Sequence, residues 1–251
     1  MSVLARCLVH RTQLVSTRAS SNLEAQLHRR FHSATPGEEG PGPRRPVTEE
    51  LIYPEPPASN HRDLPTFLQY AERSGLDTKS TTFVGTHFEY VVANSLTELG
   101  FSLRRIGGSS DCGIDLLGTW SVPSSDKPLR VLVQCKSVQR PGPHLIRELE
   151  GAFIGAPPGW RRSGVLGLLA TEKPATKGIR DALGRSRWPM GFISCSRTGQ
   201  LQQLLWNHRA EQEGLEGMGV GLKYPRDGGE RQLALMWQGK HLPQLEEAPD
   251  G

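Results

Sequence analysis

The chain has 251 residues, 30 Lys and Arg against 26 Asp and Glu, a formal net charge of +4, and only 36% apolar residues. That suffices for one domain of ordinary size plus segments outside its core. No apolar run approaches the eighteen or so residues of a membrane span, so a soluble protein is expected.

Residues 1–35 carry Arg6, Arg11, Arg18, Arg29 and Arg30 against a single acid, Glu24, with Ser and Thr scattered among Leu and Val. This is the composition of an amphipathic, acid-poor mitochondrial presequence, and the lack of an uninterrupted apolar stretch argues against a secretory signal. Arg29-Arg30-Phe31-His32-Ser33 reads as a processing site. The same segment also fits a disordered basic arm that touches nucleic acid. Residues 36–80 form a linker, with Pro41-Gly42-Pro43 and Pro54-Glu55-Pro56-Pro57 offering too little apolar surface to offset chain entropy, and a lead-in helix from Leu64 to Leu76.

Val84, Phe88, Val91, Val92, Leu96 and Leu99 then recur at three- and four-residue intervals, the pattern of a helix against a core, with Glu89 at the border of the apolar stripe. Two strings follow, Gly113-Ile114-Asp115-Leu116-Leu117 and Val131-Leu132-Val133-Gln134-Cys135-Lys136. Each sets polar groups into an apolar run, where an isolated charge normally needs a partner or an ion. Side chains i and i+2 of a strand share a face, so Gln134 and Lys136 project together, roughly 7 Å apart, while Cys135 joins Val133 on the other side. If the Asp115 segment is the neighbouring strand, an acid, an amide oxygen and an ammonium converge, which suits a hard divalent cation and a phosphate. The bland alternative is an edge strand with a solvated Gln and Lys, and a loop Asp acting as a cap.

The order Gly85-Thr86-His87-Phe88-Glu89, Gly113-Ile114-Asp115, Val133-Gln134-Cys135-Lys136 and Ile146-Arg147-Glu148-Leu149-Glu150-Gly151 resembles the Mrr-like branch of the PD-(D/E)XK nuclease superfamily. Gly167-Leu168-Leu169-Ala170-Thr171 with Thr176 and Ile179-Arg180-Asp181-Ala182-Leu183 is similar to that branch too. Together with the N-terminal segment, the whole is similar to the fungal mitochondrial "required for respiratory growth" family. The resemblance covers residues 81–208. It implies a restriction-endonuclease-like α/β core, a central mixed sheet flanked by helices, that hydrolyses nucleic-acid phosphodiester bonds, DNA ahead of RNA, in the mitochondrial matrix. It further implies Mg²⁺ or Mn²⁺ held by Asp115, Gln134 and Glu89, with Lys136 as the catalytic lysine. Gln134 departs from the superfamily pattern, which has Asp or Glu there. The lost charge lowers metal affinity and leaves room for a catalytically silent nucleic-acid-binding or assembly module on the same fold.

After Lys136, Pro143 fits a helix start and Leu145, Ile146, Leu149, Ala152 and Phe153 one helical face, ended by Pro157-Pro158-Gly159. Val165 to Ala170 reads as a buried strand, Ala175 to Arg185 as a helix, Gly191 to Ser194 as a strand and Leu201 to Trp206 as a final helix. In the tail, residues 209–251, Val220 to Tyr224 and Gln232 to Trp237 flank Pro225-Arg226-Asp227-Gly228-Gly229, which is hairpin chemistry.

Residues 81–208 hold fifteen Lys and Arg against nine Asp and Glu, and the tail five against eight. A basic core of this kind suits phosphates, with Arg104, Arg105, Arg140, Arg147, Lys173, Lys177 and Arg180 as candidate contacts, Arg185 and Arg187 behind them, while ordinary solvated surface is the alternative for many of these. The acidic tail fits a protein partner, and a homodimer is compatible with the pattern. Cys112, Cys135 and Cys195 lack the paired spacing of a zinc site and read as free thiols, Cys135 in the core. His87 and His144 lie beside the motifs, where a lone His is more often a hydrogen-bonded surface group than a catalyst.

Overall fold

Helix formation starts from capping residues and apolar periodicity. Asp63 opens α1 (Leu64–Ser74), its carboxylate accepting from Thr66 N, and the Thr66 hydroxyl answers the Asp63 backbone. Ser80 opens α2 (Thr81–Thr97) by accepting from Phe83 N, and the apolar stripe of α2 buries Phe88, Val91, Val92 and Leu96. The structure, a computed structural model, describes residues 51, 53–54, 60–107, 113–161, 163–224 and 230–242. The segment expected to be a presequence, most of the expected linker, Cys7, Cys112 and the tail turn 225–229 lie outside the described residues.

Six strands form one mixed sheet in chain order: β1 (Phe101–Arg105), β2 (Leu116–Trp120), β3 (Leu129–Lys136), β4 (Val165–Thr171), β5 (Met190–Cys195) and β6 (Leu201–Trp206). The β1–β2 and β2–β3 pairs are antiparallel, β3–β4 and β4–β5 parallel, and β5–β6 antiparallel. The parallel pairs need crossovers, supplied by α3 (His144–Gly155) and α4 (Lys177–Arg185). One face of the sheet packs Val131, Val133, Leu168 and Ile193 against α2, and the other packs Leu132, Leu169 and Phe192 against α3 and α4. The class is therefore α/β, a central mixed sheet flanked by helices, and β4 and β5, covered on both faces, are buried along their whole length.

Leu201–Trp206, expected as a final helix, is instead the edge strand β6. The chain turns back after β5, with Ser196 N bonded to the Gln200 carbonyl and Gly199 at φ +90°, and β6 pairs antiparallel with β5. Both faces of β6 meet apolar neighbours, Leu204 on the α2 side and Leu205 on the α3 side, which hides the two-residue period of a strand. A three-residue helix, α5 (His208–Ala210), and a π turn (Glu211–Leu215) follow. The tail strands β7 (Met218–Lys223), β8 (Gln232–Trp237) and β9 (Lys240–His241) make a separate three-stranded sheet whose Leu233 and Leu235 join the core on the α2 side. No helix among the described residues is long and apolar enough to cross a membrane.

Gly118 of β2 lies opposite Leu103 of β1, and a Cβ there would collide with the Ser102 carbonyl oxygen and stand 2.8 Å from the Leu103 Cα. Only backbone could yield, so Gly118→Ala is expected to cost about 2 kcal/mol or more, as overpacking does. Gly151, in the interior of α3, faces open space, and Gly151→Ala is expected to stabilise by about 0.5–1 kcal/mol. Urea unfolding of the two variants checks both signs, and a stable Gly118→Ala chain would contradict the strand contact.

Candidate active site at the end of the sheet

Strand directions gather the motif residues. With β1 and β3 running the same way and β2 opposed, the last residue of β1, the residue before β2 and the last residues of β3 share one end of the sheet. These are Arg105, Asp115, Gln134 and Lys136. In parallel α/β sheets, the carboxyl ends of the strands are also where crossover loops leave room for a ligand.

Asp115 ties this end together. Its N–H donates to the Val133 carbonyl at 2.9 Å, its carbonyl accepts from Ile106 N at 2.8 Å and Gly107 N at 3.0 Å, and its Oδ2 accepts from Cys135 N at 2.6 Å. Oδ1 faces Gly107, 3.2 Å from where a Cβ of that glycine would stand. The Glu89 Oε2, from α2, lies 3.3 Å from the same point, so the two carboxylates flank Gly107. Glu89 in turn accepts from Arg105 Nε at 2.5 Å, both side chains being largely buried.

Gln134 is only 2% exposed, and its Oε1 has no hydrogen-bond partner among the described residues. Its Nε2 would be 2.9 Å from a Cβ on Gly113, whose φ of +78° also favours glycine. A buried amide oxygen without a partner costs about 1–3 kcal/mol and calls for an explanation such as a ligand. Lys136, two residues on, is one-third exposed and pairs with Glu148 Oε2 of α3 at 3.4 Å. Cys135 points to the α2 side among Val133 and its neighbours. Burial, and after it the charges of Asp115 and Glu89, pushes its thiol well above the ordinary range, so it stays protonated and inert.

Next to Lys136, the Ser137 hydroxyl donates to Glu172 Oε1, and Arg197 Nε donates to Glu172 Oε2 at 2.9 Å. Burial raises the Glu172 carboxyl, but these two donors and the Arg197 charge outweigh it and hold the group below its usual value. His87 stacks on Phe83, and burial and then the Arg197 charge lower its pKa, so it is neutral at pH 7.

The basic candidates divide. Arg140, Arg147 and Lys173 are exposed on the segments that leave β3 and β4, while Lys177 pairs with Asp181 at 2.7 Å and Arg180 Nη1 donates to the Ala175 carbonyl at 2.7 Å. The two crossover loops touch, Thr176 donating to the Pro141 carbonyl at 3.3 Å. Arg104 is exposed and lies over the Tyr53 ring, and Arg105 is committed to Glu89. His144 is exposed at the start of α3. Glu148, Glu172 and Arg197 are the site-side residues that motif reasoning passed over. Only their placement in the loop or helix after each parallel strand could have flagged them.

Among the described residues no group of three or more His, Cys, Asp or Glu is arranged to hold a metal ion. The oxygens at the sheet end are of the kind Mg²⁺ takes, with several waters and one or two protein carboxylates, and they fall in two groups: Asp115 Oδ1 beside Glu89 Oε2 of α2, and the Gln134 amide, which shares its face of β3 with Lys136 on the α3 side. The unpartnered Gln134 Oε1 is the observation that favours the fit.

Two measurements follow from this geometry. Gln134→Met removes the unpartnered oxygen at nearly constant volume and is expected to leave stability unchanged or raise it by up to about 1 kcal/mol, where a satisfied buried amide would lose that much. Because the Glu172 pKa is depressed in the folded state, its contribution is present above about pH 4.3 and is lost as pH falls through the lower folded value, so Glu172→Gln should flatten the stability curve below about pH 4.3. Chemical denaturation across that range reads both.

Sequence comparison relates the chain to known proteins. The model of the family "Required for respiratory growth protein 7" matches residues 80–127 and 123–222. A mitochondrial, uncharacterised protein of Schizosaccharomyces pombe is 33% identical over 155 residues, 60% of this chain and 61% of that protein, so the chain spans about three fifths of that relative. The mitochondrial Required for respiratory growth protein 7 of Zygosaccharomyces rouxii is 26% identical over 199 residues, 63% of this chain and 79% of its own. That of Lachancea thermotolerans is 28% identical over 156 residues, 45% of this chain and 60% of its own. No solved structure matches the chain. With its family model covering the sheet, α2 and every candidate residue at the sheet end, the chain belongs to the Required for respiratory growth protein 7 family.

Proposed function

We propose that this chain is a metal-dependent nuclease of the PD-(D/E)XK type, acting on nucleic acid in the mitochondrial matrix, with DNA ahead of RNA. The observation that carries the reading is the unpartnered Gln134 Oε1 beside Asp115 and Lys136 at one end of the sheet. The resemblance of the same strings to Mrr-like nucleases supports it, and the mitochondrial names of the relatives support the compartment.

In this reading Asp115 Oδ1, Gln134 Oε1 and Glu89 would hold Mg²⁺ or Mn²⁺, which supplies charge stabilisation at the phosphate and a more acidic bound water. Asp115 acts through one oxygen only, since Oδ2 is occupied by Cys135 N–H. Lys136 Nζ, aimed by Glu148, donates to a phosphate oxygen and offsets the negative charge that builds there during attack. The exposed Arg140, Arg147 and Lys173 on the adjoining segments hold the flanking phosphates.

A second reading, a catalytically silent nucleic-acid-binding module, is favoured by the Glu89–Arg105 ion pair. It neutralises one of two acids in a site whose third donor is uncharged.

Cleavage of single- and double-stranded DNA and RNA with Mg²⁺ separates the two. Asp115→Asn, which keeps an acceptor for Cys135 N–H, and Lys136→Ala are each expected to lower the rate by about a hundredfold or more at unchanged melting temperature, the size of losing one transition-state charge contact. Wild-type rates in both variants would refute the mechanism. Nucleic-acid binding without cleavage by the wild type would establish the silent module.

A further inference from the structure

On the far side of Arg105 from Asp115 lies a cavity of about 560 Å³, enclosed by the start of α1, the outer face of α2 and the edge strand β1. The size is that of a small-ligand site rather than a packing defect. Its charged lining is three arginines, Arg62, Arg104 and Arg105, against one carboxylate, Asp63, and that carboxylate is engaged in capping α1 through Thr66 N at 2.8 Å and the Thr66 hydroxyl at 2.6 Å. His61 adds no charge at pH 7, because burial and then Arg105 lower its pKa. With Arg105 paired to Glu89 and Asp63 still ionised while it caps α1, Arg62 and Arg104 leave the cavity a small positive surplus, which favours an anion.

Its walls are also aromatic. The Tyr90 hydroxyl meets His61 Nδ1 at 2.8 Å and fixes the two rings edge to face, and Tyr53 lies under the Arg104 guanidinium at 4.5 Å. Ala93, Leu103 and Ile106 supply apolar surface between the rings, and Asn94 offers an amide. Flat π-surfaces, apolar sides, one amide and guanidinium groups are the requirements of a nucleobase carrying its phosphate, since every base has a face to stack and a phosphate to pair. An acidic peptide would use the arginines and leave the rings idle.

Arg105 joins the cavity to the candidate active site, its Nε on Glu89 and its guanidinium 5.7 Å from the Tyr90 ring centre. We infer that the cavity takes one unstacked nucleotide of a single-stranded segment, next to the phosphate presented at Asp115. The identity of the macromolecule rests on the nuclease reading above. The nucleotide chemistry of the cavity rests on its lining alone.

The test is equilibrium binding of a fluorescent single-stranded decanucleotide and of the matching duplex to the full chain carrying Asp115→Asn, without added metal, so that binding is read apart from cleavage. Asn94→Trp, at an exposed position of α2, fills the cavity and should keep the melting temperature. Single-strand affinity is expected to fall about tenfold, the worth of one base stack, with duplex affinity, which rests on backbone phosphates, unchanged. Arg104→Glu should reproduce the single-strand loss. Unlabelled 5′-AMP should displace the single strand from the chain with Asn94 intact and fail to do so from Asn94→Trp. Absence of single-strand binding, or wild-type single-strand affinity in both variants, would overturn the inference. In that case cleavage by the wild type would leave the nuclease reading standing, whereas loss of binding in Asn94→Trp without any cleavage would sustain the cavity and remove the nuclease.

Discussion

One side chain sets the geometry of the sheet end. The Asp115 carboxylate takes the place of a backbone carbonyl and accepts from Cys135 N–H, after its own main chain has bonded to Val133, Ile106 and Gly107. Three chain segments are held by that residue. A side chain one methylene longer would push the oxygen past Cys135 N, and one without an acceptor would leave a partly buried N–H unpaired. With Oδ2 fixed in the ladder, Oδ1 has little freedom, and its direction toward Gly107 and Glu89 follows from the fold itself. Pre-placement of this kind is what a site for a charged ligand requires, because no reorganisation remains to be done on binding.

The amide at position 134 fits the same economy of charge. A carboxylate at 2% exposure, on the rung next to Asp115, would add a further negative charge where Arg105 is already paired with Glu89 and Lys136 with Glu148, and desolvation would drive it toward holding a proton. Glutamine keeps an oxygen donor at that place for the smaller cost of an unpartnered carbonyl. Glu89 avoids the same difficulty by pairing with Arg105. Negative charge at the sheet end is therefore rationed.

Local pattern made much of this readable in advance. The i, i+2 relation puts Gln134 and Lys136 on one face of β3, and the three- and four-residue spacing of Phe88, Val91, Val92 and Leu96 defines the face of α2 that meets the sheet. Where pattern misled, the cause is burial on both faces. Leu201, Leu204 and Leu205 have helical spacing because β6 meets apolar neighbours on either side, and the Gly199 turn, not the spacing, decides the element. What stayed hidden depends on contacts distant in sequence. Glu148 reaches Lys136 only once α3 has crossed back over the sheet, and Gly107 becomes the meeting point of two carboxylates only when the end of β1 lies between α2 and β2. No spacing rule encodes a crossing of that kind.

The ion pairs differ in kind along one gradient, burial. Lys177–Asp181, at 84% and 40% side-chain exposure, is a solvent-screened pair on one helix and contributes little. Arg105–Glu89, at 14% and 12%, lies where breaking it would leave a lone desolvated charge, so it fixes position. Lys136–Glu148, at 34% and 47%, falls between. Its 3.4 Å separation aims the ammonium without desolvating it, and the cost of exchanging Glu148 for another anion is small. A lysine that must meet a phosphate at the end of a strand is better served by that intermediate pairing than by either extreme, because a buried pair would hold it too firmly and a solvent-screened one would not orient it at all.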